Sequence, residues 1–205
     1  MTFFSKEAAA SLSGNKTPKA DQEDFFKTSE IPNKGQARVR IMSKKAIHFW
    51  SVWGSDPDGN KRSFRFREEP TPEQIELEAG EYVVECRKDK EGNPIPKAYR
   101  VNMPIVAAVY NYDSSKIQVW EVGSVKIRRE LFSISQQEDY NKDITSIDLV
   151  IRKEVPPNGF PDYSILPVPI KKGSEEAISA AWIEAQENGF DLERYLDTGN
   201  PYAGN

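Results

Sequence analysis

Flat aromatic side chains and cations are interleaved between Ile47 and Arg67. Trp50 and Trp53 stand in the first of two short runs, and Phe64 and Phe66 share the second with Lys61, Arg62, Arg65 and Arg67. Arg38, Arg40, Lys44 and Lys45 lie just upstream. A groove for a single strand of nucleic acid needs this mixture: cations to follow the phosphates, and ring faces on which bases stack at about 1–3 kcal/mol each. Trp50, Trp53, Tyr99 and Tyr112 are the stronger stacking candidates, with Arg100 beside Tyr99 as a further cation. Alternation along a strand prevents all of them from sharing one face. If Phe64 and Phe66 pack in the core, Arg65 and Arg67 line the groove with His48 or Trp50 beside them. For any one aromatic, core packing is at least as good an explanation as stacking.

Other chemistries find little material. His48 is the only histidine and lies within a strand-like run, so a Ser-His-Asp or Cys-His site would depend on it alone; a structural or base-stacking role is expected instead. Cys86 is the only cysteine, which excludes an intramolecular disulfide and fits a reducing cytoplasm. Within Tyr82-Val83-Val84-Glu85-Cys86 it reads as a packing residue. One His and one Cys fall short of a tetrahedral zinc site, so no zinc is expected, and no other cofactor. A Gly-rich phosphate loop, a GxSxG elbow, an HExxH motif and a dinucleotide fingerprint are all missing. Carboxylates occur in runs such as Glu73 to Glu78 and Glu138-Asp139, the pattern of solvated faces, although magnesium held by carboxylates keeps a nuclease as a third reading.

The net charge of −4 argues against phosphate binding until its distribution is considered. Lys34 to Arg67 holds nine Lys or Arg against two Asp, whereas Gly173 to Asn205 holds seven acids against one Arg. Glu68 to Pro96 is acidic too, with nine acids against three bases. Such sorting is compatible with a basic groove and an acidic segment that competes for it, or with solvated faces alone. The mean hydropathy of −0.67 and the lack of any long apolar run predict a soluble chain with no membrane span.

The elements that must position these residues centre on Met103 to Leu131. Val106, Ala108 and Tyr110 alternate with Ala107, Val109 and Asn111; Asp113 to Ser115 supply a turn; Ile117 to Val122 alternate again. From Ser124 the apolar residues fall at Ile127, Leu131 and Ile134, which is helical spacing. A β-hairpin therefore feeds a helix able to plug one end of a sheet. Upstream, Gln36 to Ser43, Ile47 to Trp53, Lys61 to Arg67, Glu81 to Arg87 and Ala98 to Val101 read as strands, with an acidic loop or short helix over Glu73 to Glu78. Downstream, Asp148 to Glu154 is a strand, and Tyr163 to Ile170, cut by Pro167 and Pro169, is fit only for an edge. Ser174 with Glu175 and Glu176 resembles a capped helix start, the helix ending at Gly189. Phe190 to Leu196 adds a turn or two, and Thr198 to Asn205 is expected to be loose.

Taken together, the apolar strand, the Tyr110-Asn111-Tyr112 turn, Lys116 to Val122, the short helix and then Asp148 to Lys153 resemble a family of phage replication proteins that bind single-stranded DNA on an OB-type barrel. Val39 to Ser43, Ile47 to Trp53 and Lys61 to Arg65 resemble that family's opening strands, so the likeness covers roughly Gln36 to Val168. It implies a mainly β fold, an OB-like small barrel with one internal helix and a C-terminal helical segment. Outside the span of the likeness, Ser, Gly, Asn, Lys, Thr and Pro over Ser13 to Pro18 predict a flexible N-terminal arm over residues 1–34. The OB-like binding domain occupies 35–172, and the acidic stretch from Gly173 forms a C-terminal helix and tail over 173–205. The implied activity is non-catalytic, sequence-independent coating of single-stranded DNA in replication or recombination, in the host cytoplasm. Replication proteins would be contacted through the acidic segment Glu175 to Asp197, and copies of the chain would self-associate. The alternative is a protein-interaction or virion-assembly module that binds no nucleic acid.

Overall fold

The computed structural model describes residues 22–55, 58–79, 87–88, 91, 94–95, 101–140, 143–157 and 159–202. Its centre is the hairpin of β7 (Ile105–Asn111) and β8 (Lys116–Val122), whose register pairs Ala107 with Trp120 and Ala108 with Val119. The turn closes through the Asp113 backbone N–H, which donates to Asn111 Oδ1 at 3.0 Å, with Ser115 at a positive φ of 55°. Val106 to Tyr110 are all buried, because both faces of this hairpin are covered.

On one face Val109, Trp120 and Val122 join Ala37, Val39 and Ile41 of β1 (Gln36–Ile41) and Leu149 and Ile151 of β9 (Asp148–Glu154). β1 lies between β7 and β9, and β10 (Asp162–Val168) pairs with β9 at the outer edge, where Pro167 removes no ladder bond that a further strand would need. An amphipathic helix covers the end of this face, with Ile127, Leu131 and Ile134 buried. Ser124 starts it, its Oγ accepting from the Ile127 N–H.

The other face carries Val106, Ala108, Tyr110, Ile117 and Val119, and two C-terminal helices cover it. Calling the short helix Pro72–Ala79 α1 and Val125–Ser135 α2, these are α3 (Glu175–Glu187), which buries Ile178 and Ala185, and α4 (Leu192–Thr198), which buries Tyr195 and Leu196. Ser174 does not cap α3 with its side chain. Its buried hydroxyl donates to the Lys171 carbonyl at 2.6 Å and meets the Tyr112 hydroxyl, and the local backbone is helical rather than extended. Nor is the tail loose as far as Tyr202: Asn200 and Pro201 are buried, the Asp191 N–H donates to the Pro201 carbonyl, and the Tyr202 ring packs against Phe190.

Ile47 to Trp53 is broken in two. β2 (Ile47–His48) pairs with β7, then Phe49 turns fully into the core beside Val106, Val119 and Tyr195, and β3 (Trp50–Ser55) continues as a separate ribbon with β4 (Lys61–Phe66). Val52 and Phe64 of the ribbon pack on Ile75 of α1. A second small ribbon joins β5 (Arg87–Lys88) to β6 (Pro94–Ile95). At the other margin, the Phe26 N–H donates to the Val119 carbonyl and the ring meets Trp120 edge-on, so residues 25–26 shield the outer edge of β8. The fold is thus mainly antiparallel β with a few helices, and among the described residues the strands do not close into a barrel. No helix among them is long and apolar enough to cross a membrane.

Candidate nucleic-acid interface

The β3–β4 ribbon sorts the aromatics and cations by the two-residue period of its strands. Its register places Trp50 opposite Phe66, Val52 opposite Phe64 and Gly54 opposite Arg62. This face turns toward α1, and the Arg62 guanidinium lies 4.6 Å from the centre of the Phe64 ring. Phe64 is core, Phe66 packs against it, and Trp50 is half-buried.

The opposite face carries Trp53 across from Ser63, with Lys61 and Arg65 as its diagonal cross-strand neighbours. Trp53 is 64% exposed, a large aromatic surface left in water. Lys61 is exposed and makes no ion pair among the described residues. An accessible indole beside a free ammonium can stack a base and hold the phosphate next to it.

Farther along β4 the cations are engaged. The Arg65 guanidinium lies over the Tyr195 ring at 4.5 Å, donates to the Tyr195 hydroxyl at 2.8 Å and stands 3.6 Å from the Glu121 carboxylate. The Tyr195 hydroxyl in turn donates to Glu121. Burial pushes the Tyr195 phenol well above its ordinary range, and the Glu121 charge adds to the shift while Arg65 opposes it. Arg67 pairs with Glu193 at 2.9 Å and Asp197 at 3.0 Å, both on α4. Hydrogen bonds to those two carboxylates hold its guanidinium above the usual arginine range.

Gly199 ends α4 at a φ of 72°, where only 3.4 Å separates an added Cβ from the Arg65 guanidinium. A side chain there would meet both backbone strain and the engaged arginine. Glu121, Glu193, Tyr195 and Asp197 were not among the expected DNA-binding residues, although Glu193 and Asp197 fall in the acidic segment expected to meet replication proteins. Their sequence signal is faint: Asp191 and Gly199 bracket α4 as N-cap and left-handed terminator, with nothing to say which strand the helix meets.

The remaining expected residues are dispersed. His48 is exposed on β2 opposite Ile105, separated from Trp50 by the buried Phe49, and Lys44 and Lys45 are exposed in the loop between β1 and β2. Arg38 is a structural cation: its Nε donates at 2.8 Å to Asp148, whose carboxylate is wholly buried, and its Nη2 donates to the Pro169 carbonyl. Its guanidinium also lies 5.2 Å from the Tyr112 ring centre, and the Lys171 ammonium approaches the same ring at 5.6 Å. Tyr112 is half-buried against Tyr110, and burial raises its pKa. Arg40 donates to the Thr145 carbonyl. Tyr99, Arg100 and Cys86 lie outside the described residues, as does residue 21 and everything before it.

The ribbon therefore brings together Trp53, Lys61 and Arg65 on one face and Trp50 and Arg62 on the other, while Arg38, Arg40 and Tyr112 belong to different surroundings. Among the described residues, no three His, Cys, Asp or Glu side chains converge where they could hold a metal ion. Comparison of the chain with models of protein families, with curated proteins and with solved structures finds no match.

Proposed function

We propose that this chain is a non-catalytic, sequence-independent single-stranded-DNA-binding protein built on an OB-like scaffold, of the phage replication type that its sequence resembles. The observation that carries the reading is the exposed Trp53 with Lys61 beside it on one face of the β3–β4 ribbon. Stacking on Trp53, and on Trp50 from the other side, supplies sequence-tolerant affinity, and Lys61, Arg62, Lys44 and Lys45 supply the salt-dependent part. An OB-like scaffold is supported by an antiparallel sheet with β1 between β7 and β9, an internal helix packed at one end and a separate aromatic ribbon of β3 and β4.

The test is a titration of the intact protein with an oligothymidine, followed by electrophoretic shift at low salt. Saturable binding that weakens steeply as salt rises supports the reading, and failure to shift the oligonucleotide at low salt refutes it.

One observation favours the second reading, a protein-interaction module without nucleic acid. Arg38, Arg65 and Arg67 already have carboxylate partners within the chain, so three of the expected phosphate ligands are occupied. Normal partner capture by a chain that never binds an oligonucleotide would establish that alternative. The acidic faces of α3 and α4 are the proposed contact with replication proteins, chiefly through Glu175, Glu176 and Glu187, which face solvent.

A further inference from the structure

Away from the ribbon, on the sheet face that α2 caps, a groove of about 630 Å³ opens between α2 and the β1–β2 loop. Its floor is apolar and belongs to the sheet: Ile41, Ile105, Ala107, Trp120 and Val122. One wall is a stripe of α2 distinct from the stripe that enters the core. Val125, Arg128, Phe132 and Ser135 recur at helical spacing and line the groove, with Leu131 of the core stripe at its base, whereas Ile127 and Ile134 are buried beneath the helix. Phe132 is 68% exposed, and Val125 and Met103 also present apolar surface at the rim.

The rim is cationic. Lys44, Arg128 and Arg129 all border the groove, and none has a carboxylate at ion-pair distance among the described residues. Arg128 Nε is buried without a hydrogen-bond partner. A guanidinium held in place by a partly buried stem and left without a carboxylate is a ready partner for an incoming one through its terminal nitrogens. Asp143 Oδ1 already accepts from the hydroxyl and backbone N–H of Thr145, which hold its carboxyl below the usual range with further help from Lys44 and Arg40.

We infer that this groove is a docking site for an acidic amphipathic peptide segment of a partner protein, apolar side chains on the sheet floor and carboxylates on Arg128, Arg129 and Lys44. Charge complementarity and the apolar floor choose this occupant. A nucleobase seated on the sheet floor would lose water from its polar edges there and meet the apolar side chains of Ile41, Ile105, Ala107, Trp120 and Val122. A peptide places its Leu or Phe anchors in the groove and keeps its polar backbone at the wet rim. The groove shares only Lys44 with the cations assigned to DNA, and the inference does not rest on DNA binding, because Arg128, Arg129 and Phe132 belong to the groove alone.

The test uses the intact protein and a fluorescently labelled synthetic peptide in which Leu and Phe recur at helical spacing among Glu residues. Anisotropy should rise saturably. Two substitutions at exposed positions, Arg129→Glu and Phe132→Ser, should each weaken binding, the charge reversal by roughly tenfold or more. Arg152→Glu, an equal charge reversal on β9 outside the groove, should leave peptide affinity unchanged. Thermal unfolding of each variant separates lost docking from lost folding. Equal binding of a peptide with Lys for every Glu would overturn the inference, as would no saturable binding of the acidic peptide. It would also be overturned if oligothymidine displaced the peptide and lost affinity with the same two substitutions, which would assign the groove to nucleic acid.

Discussion

The two ends of β4 carry the same kind of side chain and put it to different uses. At the start, Lys61 and Arg62 are exposed and have no carboxylate partner among the described residues, and Lys61 stands beside the open Trp53 ring. At and just beyond the far end, Arg65 is held by Tyr195 and Glu121 and Arg67 by Glu193 and Asp197. The difference arises from where α4 packs, because Tyr195 and Leu196 anchor that helix in the core beside Phe49 and carry its acids onto the ribbon. A count of cations therefore overstates what is available to a phosphate.

The contrast breaks most visibly at Tyr195. Tyr195→Ala removes a buried ring that touches Phe25 and Arg65 and should destabilise the protein by about 3–5 kcal/mol, measured by denaturant unfolding. At the free end, Trp53→Ala should leave stability within about 0.5 kcal/mol and cost about 1–3 kcal/mol in oligothymidine affinity. Equal effects of both substitutions on stability would erase the distinction between the anchored end and the free end.

A smaller effect appears at alkaline pH, where the C-terminal packing titrates. Burial pushes the Tyr202 phenol up to about 12 from 10.0, with Asp24 and Glu184 adding to the shift, and Tyr195 moves in the same direction. A raised phenol pKa in the folded state means stability that is fully present below the ordinary value and is lost as pH climbs through the raised one. Unfolding free energy should thus fall between about pH 10 and 12, and Tyr202→Phe should flatten part of that decline. An unchanged slope in the variant would show that Tyr202 is not responsible.

The smallest effects separate the cations themselves. Lys61→Ala should reduce the salt dependence of oligothymidine binding by about 0.7 in log–log slope, the value of one phosphate contact to a single strand. Arg67→Ala should change that slope less, because its two carboxylates already neutralise it. Equal changes from both would mean that DNA displaces α4 from the ribbon.

Local patterns made much of this architecture legible. The alternation around Asp113 to Ser115 gave the hairpin, the spacing of Ile127, Leu131 and Ile134 with Ser124 before them gave α2, and Pro167 marked β10 as an edge. Contacts between distant segments were not legible. Phe49 looks like one more aromatic of a continuous strand, and only the arrival of Tyr195 from the C-terminus makes it the point where the strand breaks. Arg38 looks like a surface cation until Asp148, far along the chain, is seen buried beside it. Ser174 has the spacing of a cap, yet Tyr112 and Lys171 claim its hydroxyl. The ribbon aromatics were recognisable as candidates, but which face each took depended on α1 covering Phe64 and leaving Trp53 open.

The most direct test of the central claim is intrinsic tryptophan fluorescence during titration with an oligothymidine, in the parent protein and in Trp53→Phe, at low and high salt. Stacking on Trp53 predicts saturable quenching that weakens with salt, most of it lost in Trp53→Phe while the variant remains folded. Undiminished quenching in that variant, or no quenching in the parent under conditions where the oligonucleotide is bound, would contradict it.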